Sequence, residues 1–144
     1  MNFKVKIDME CKEEFSSPIY ETGPPEKSKG PYLSPRNNAA IQPICLTVTD
    51  EEQLGMGGIT SELYWNWIEI NDCWVYEKYR GYGIRSQLLQ TVEKMARKRG
   101  ADYSMHTTFE PGTRDFYVEK GYKVVGEFKE YLPGVNFYTL KKSL

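Results

Sequence analysis

The run from Trp67 to Phe109 limits the fold more than any other part of the chain. It opens with WIEINDCWV (Trp67 to Val75), whose composition and alternation suit a strand. After a turn holding Gly81 and Gly83, the apolar residues Ile84, Leu88, Leu89, Val92, Met95 and Ala96 recur at helical spacing. Arg97 to Arg99 fall in the last turn, where cations face the negative end of the helix dipole, and Gly100 stands at the position after the cap. YSMHTTF (Tyr103 to Phe109) then reads as another strand. Upstream, ICLTVTD (Ile44 to Asp50) and GMGGITSELY (Gly55 to Tyr64) form an antiparallel meander with Trp67 to Val75. A meander followed by strand, helix and strand predicts a mixed α/β sheet.

The flanks are read the same way. FKVKIDM (Phe3 to Met9) alternates as a half-buried strand does, whereas residues 16–38 carry Pro18, Pro24, Pro25, Pro31 and Pro35 with Gly23 and Gly30 and are expected to form a long loop. Pro111-Gly112 ends the strand before it, a short helix runs to Lys120 and stops at Gly121, and YKVVGEFKEY and NFYTLKK close the chain as strands around Pro133-Gly134. A chain of 144 residues with 40% hydrophobic content suits one domain spanning 1–144.

Charge and composition exclude some classes of function. A formal net charge of -1 gives no global field for a phosphate backbone, so nucleic acid is not an expected partner. There is no 18-residue apolar run and no signal-peptide pattern at the N-terminus, so a cytoplasmic protein without a membrane association is expected. Cys11, Cys45 and Cys73 are odd in number and lack metal-ligand spacing; reduced thiols and no metal site are the simpler reading.

The glycine pair raises a chemical question. The unpaired N–H groups of a helix's first turn, with the positive end of its dipole, make an anion site, and glycine lets a phosphate approach the backbone closely. A phosphorylated ligand follows from this reading, and a plain tight turn is the alternative. No G-x-x-x-x-G-K-[ST] occurs, and the third glycine of a dinucleotide fingerprint is missing.

CWVYEKYRGYGIRSQLLQTVEKMARKRG, followed by FYVEKGYKVVGEF, resembles the GNAT family of N-acetyltransferases. The family pattern Q/R-x-x-G-x-G/A falls on Lys78, Gly81 and Gly83, and the second motif on Phe116, Tyr117, Gly121 and Tyr122. The resemblance implies a mostly antiparallel mixed sheet with a splayed strand pair and flanking helices, and acetyl-CoA as cosubstrate. It implies that Cys73, Trp74 and Val75 offer backbone contacts to the pantetheine arm. Lys78, Arg80, Gly81, Tyr82, Gly83, Ile84 and Arg85 would lie around the pyrophosphate. Tyr117 falls at the family's general-acid position. Glu69 falls where some members carry a catalytic glutamate, and two-residue alternation puts it on one face with Asn71 and Cys73, Asp72 on the other.

Each role has a plainer counterpart. Tyr117 can also be read as a core tyrosine beside Phe116 and Glu69 as a solvated charge, and the lone His106 is read first as a structural residue. Glu110 and Thr113 stand where many members have asparagine and alanine, and the proline-rich loop stands where relatives place helices over the acceptor. Tyr64, Trp65 and Trp67 are candidates for an acceptor pocket or a homodimer contact. The implied function is transfer of acetyl from acetyl-CoA to a primary amine of a small molecule or protein. A non-catalytic CoA-binding sensor or scaffold and a cofactor-free interaction module are the alternatives.

Overall fold

The computed structural model describes the backbone of residues 4–8 and residues 41–144. The expected loop at 16–38 and Cys11 lie outside the described residues. Among the described residues, seven strands form one sheet: β1 (Lys4–Asp8), β2 (Gln42–Thr49), β3 (Gly55–Tyr64), β4 (Trp67–Val75), β5 (Tyr103–Thr108), β6 (Lys123–Leu132) and β7 (Val135–Ser143). Their order is β1-β2-β3-β4-β5-β7-β6. All neighbours are antiparallel except β4 and β5, which run parallel because helix α1 (Ile84–Lys98) carries the chain from one to the other. Helix α2 (Pro111–Glu119) follows β5. The mixed sheet expected from the sequence is present, and Pro111, taken as a strand breaker, also opens α2 at a first-turn position where its missing N–H costs nothing.

Helix α1 packs Ile84, Leu88, Leu89, Val92 and Ala96 against Ile59, Ile68 and Ile70 of the sheet. Each fully buried aliphatic chain of this size stabilises the fold by about 1.5–3 kcal/mol. Both helices end in the same way. Gly100 (φ 95°) and Gly121 (φ 99°) take the left-handed conformation. The N–H of Ala101 reaches the carbonyl of Ala96 at 2.9 Å, and that of Tyr122 the carbonyl of Tyr117 at 3.0 Å. These are Schellman ends, in which the residue after the glycine packs back on the last turn. Here Tyr122 packs edge-on against Tyr117, with ring centroids 5.0 Å apart.

A polar cluster ties α1 to β5, β7 and the turn after α2. Glu93 accepts from Tyr122 Oη at 2.9 Å and from Lys142 Nζ at 3.0 Å. The single hydroxyl proton of Tyr122 goes to Glu93, so Ser104 Oγ donates to Tyr122 Oη across their 2.6 Å contact. Tyr122, the last residue of the second sequence motif, therefore locks the turn after α2 to α1 and β5.

Two features of β4 shape the site. It pairs with β5 only over Trp67–Ile70, opposite Tyr103–His106, so the strands separate beyond that point. This is the expected splay. The register between β3 and β4 also shifts at Thr60/Ser61: Thr60 pairs with Asp72 and Ser61 with Ile70, leaving Asn71 as a bulge. Thr60 Oγ1 accepts the Asp72 N–H at 3.2 Å and holds it there. The bulge overturns the face assignment drawn from simple alternation. Cross-strand partners share a face, so Glu69 lies with Asp72 and Trp74, while Cys73 and Val75 join Ile68 and Ile70 on the helix side. The reading of the cysteines changes too, since an odd count leaves room for one pair: Cys45 is disulfide-bonded, and Cys73 is a free thiol.

Candidate active site

The glycine turn meets the splayed strands in a cleft of about 580 Å³. Gly81 and Gly83 take φ values of 91° and 76°, and a Cβ at either would meet nothing within 4 Å. These are left-handed positions that glycine occupies at little cost, and they leave the backbone bare. Gly83 caps α1 without a side-chain bond, and the first turn holds no acidic residue, so its N–H groups and the positive dipole end face outward uncompensated. Cys73, Trp74, Val75, Arg80, Gly81, Gly83, Ile84 and Arg85, all expected around a cofactor, line this cleft. Ser86, Thr113, Phe116 and Tyr79 also line it, none of which the sequence reading placed there.

Two expected contacts are not lining residues. Lys78 sets its ammonium over the Tyr79 ring at 4.9 Å, and Tyr82 is half exposed, outside the cleft wall. Arg80 Nε donates to the Val75 carbonyl at 3.2 Å, which folds that side chain back against the strand end. Arg85 turns away from the glycine loop toward α2. Its Nη2 lies 3.5 Å from Thr113 Oγ1, and its guanidinium sits over the Phe116 ring at 4.1 Å.

A second cleft, of about 480 Å³, opens on the other side of the splay. Its wall includes Glu69, Asp72, His106, Phe109, Glu110, Tyr117 and Phe137. Cys73, Arg85 and Thr113 line both clefts and mark where they meet. The acidic residues give the second cleft a negative lining, while the first presents a helix N-terminus and arginine.

Three polar atoms of residues lining the second cleft are shielded from solvent and have no hydrogen-bond partner: Asp72 Oδ2, Arg85 Nε and Tyr117 Oη. Buried polar groups are normally satisfied, so three together single this region out as the candidate site. Tyr117 is fully buried, stacked on His106 with centroids 4.2 Å apart and edge-on to Phe116. Burial, and then the nearby Cys73, push its phenol well above the ordinary value near 10, so it stays protonated. Burial likewise pushes the Cys73 thiol up to about 12, although Arg85 pulls it down, and it is no thiolate nucleophile at neutral pH. Glu69 accepts a hydrogen bond from Tyr64 Oη at 3.1 Å, which fixes its carboxylate at the cleft. Trp65 occupies the β3–β4 turn and Trp67 lies tilted against Tyr103 with centroids 4.9 Å apart, and neither lines the second cleft; Phe109 and Phe137 supply its aromatic wall, rings 4.9 Å apart.

His106 sits at the fork of the splay, its Nδ1 2.8 Å from the carbonyl of Ile70. A carbonyl accepts only, so Nδ1 carries the proton and Nε2 is left as the acceptor in the neutral ring. Burial holds its pKa below the ordinary 6.5, against the opposing effect of that carbonyl. The unfolded chain then binds a proton more readily than the folded one. The stability contribution is complete above 6.5 and is lost as pH falls from there through the depressed folded value. The thermal midpoint of the wild type is expected to drop between pH 7.5 and 5.5, and His106→Gln to flatten that drop. An unchanged pH dependence in the variant would assign it to other groups.

Residues 9–122 match the profile of the Acetyltransferase (GNAT) family. Blasticidin-S acetyltransferase from Streptomyces morookaense is 30% identical over 89 residues, 61% of this chain and 65% of that one, so the match spans slightly under two thirds of that relative. Among solved structures, an acetyltransferase from Bacillus cereus is 29% identical with a TM-score of 0.69, covering 72% of this chain and 74% of that one. A GNAT family acetyltransferase from Elizabethkingia anophelis with acetyl-CoA bound shares the fold at 15% identity and a TM-score of 0.63, covering 97% of this chain and 98% of that one.

Proposed function

The chain belongs to the GNAT acetyltransferase family, and from that premise we propose that it transfers the acetyl group of acetyl-CoA to the primary amine of a cationic small molecule by direct attack. The observation that carries this reading is the pair of clefts joined at Cys73, Arg85 and Thr113, one under a bare helix N-terminus and the other walled by carboxylates. In this reading the N–H groups around Gly81 and Gly83 hold the pyrophosphate, and the strand edge from Cys73 to Val75 borders the pantetheine arm. Glu69 and Asp72, brought to one face by the bulge, receive the ammonium of the acceptor. Glu69 takes its proton, the freed nitrogen attacks the thioester carbon and gives up its second proton to solvent, and the C–S bond breaks as the carbonyl re-forms. Tyr117 Oη donates a proton to the departing thiolate and is reprotonated from solvent.

A concave cleft of about 480 Å³ is the size at which small ligands bind, which favours a small acceptor over a flat protein surface. The relative named for blasticidin S supports the same class. The test is a comparison of kcat/KM across amines differing in charge. Amines carrying a second positive group are expected to exceed matched amines carrying a carboxylate by about 10-fold or more at low salt. A preference for the anionic amines would overturn the assignment of the acidic cleft.

A further inference from the structure

We propose that Arg85 is a further catalytic residue, donating a hydrogen bond to the thioester carbonyl oxygen and stabilising the oxyanion that forms on attack. The inference rests on the acetyl-CoA reading above and assigns a group within it that the glycine motif alone would place elsewhere, on the pyrophosphate.

The argument starts from what the side chain lacks. A guanidinium is charged at any working pH and offers five donors. Arg85 has a 3.5 Å contact with Thr113 Oγ1, a ring beneath it and the neutral Cys73 thiol beside it. Its Nε is shielded and unpartnered, and no ion pair with a described carboxylate accompanies it. One donor of a cation held this way is shielded from water with no acceptor, an arrangement that a ligand oxygen completes.

Position then selects the oxygen. Arg85 is the one cation among the three residues that line both clefts. The reacting carbonyl must lie at that junction, since its sulfur belongs to the cofactor side and its carbon must meet the amine from the other. When the amine nitrogen adds, the C=O electron pair moves to oxygen; when the C–S bond breaks, the pair returns and the thiolate leaves. A fixed positive donor strengthens its bond to that oxygen as charge develops. A carboxylate on a longer acyl chain is the competing ligand, but such a chain would extend into the cleft walled by Glu69, Asp72 and Glu110, which repels it.

Two unreactive analogues separate catalysis from a strut between α1 and α2: the ketone isostere of acetyl-CoA, with methylene in place of sulfur, and S-ethyl-CoA, which lacks the carbonyl oxygen. Arg85→Met is expected to lower kcat about 100-fold, the scale of one lost oxyanion donor. It should weaken the ketone about 10-fold and S-ethyl-CoA by less than about 3-fold, with Arg85→Lys recovering part of both defects. Both affinities are measured on one preparation, so their ratio does not depend on the folded fraction, and Arg85→Lys gives the same ratio test if Arg85→Met folds poorly. An unchanged ratio in both variants, or an unchanged kcat, would overturn the role. Wild-type protein binding neither analogue would instead overturn the acetyl-CoA reading and this inference with it.

Discussion

Tyr117→Phe is expected to lower turnover by about 10²–10⁴-fold while raising stability, a combination that a packing role does not produce. The substitution removes only Oη and keeps the stack on His106 and the edge contacts with Phe116 and Tyr122. That oxygen is buried with no partner, so the folded state bears its desolvation without a compensating bond. Removing it should stabilise the free protein by about 1–2 kcal/mol. In the proposed reaction the same hydroxyl would give its proton to the leaving thiolate, and burial keeps it a phenol across the working pH range. A thermal melt and a steady-state assay on one sample measure both effects. Full activity in the phenylalanine variant would return Tyr117 to the core; lost activity with lost stability would mean that Oη has a structural partner.

Gly83→Asp should weaken acetyl-CoA about 100-fold and leave the fold intact. Asp tolerates the left-handed conformation better than most residues, nothing lies within 4 Å of the added Cβ, and an Asp at the cap position of α1 can accept from a first-turn N–H. The same carboxylate sits where a pyrophosphate would approach. Two like charges about 4 Å apart cost between about 1 kcal/mol in water and about 4 kcal/mol near a protein surface. Gly83→Ala separates steric from electrostatic loss, since only the aspartate defect should shrink as salt rises. Calorimetric titration of both variants with acetyl-CoA reads the difference. Equal affinity in the aspartate variant and the wild type would remove the helix N-terminus from the site.

Much of the architecture was legible in the sequence because its signals are local. The apolar spacing of Ile84 to Ala96 and the glycine after Arg99 mark α1, and the glycine pair before it marks the bare helix start, all within one stretch. The position of Tyr117 was legible through the second motif. The face of β4 was not, because a bulge is a property of two strands together. Thr60 accepting the Asp72 N–H shifts the parity of every later residue, and nothing in WIEINDCWV announces it. The direction of Arg85 was equally hidden, since its contacts, Thr113 and Phe116, lie on a helix reached only after β5. Gly58 shows the same limit: in sequence it is a strand glycine, but a Cβ there would lie 2.7 Å from the Trp74 ring and 2.9 Å from the Leu46 carbonyl.

The central claim is transfer between two clefts through one junction, and its most direct measurement is the product balance of a single reaction. Purified protein with acetyl-CoA and a cationic primary amine is predicted to release CoA thiol and form the N-acetylated amine in equal amounts, with no thiol released when the amine is omitted. Tight binding of acetyl-CoA without acetylated amine across a panel of cationic amines would contradict the account and leave a CoA-binding domain without turnover.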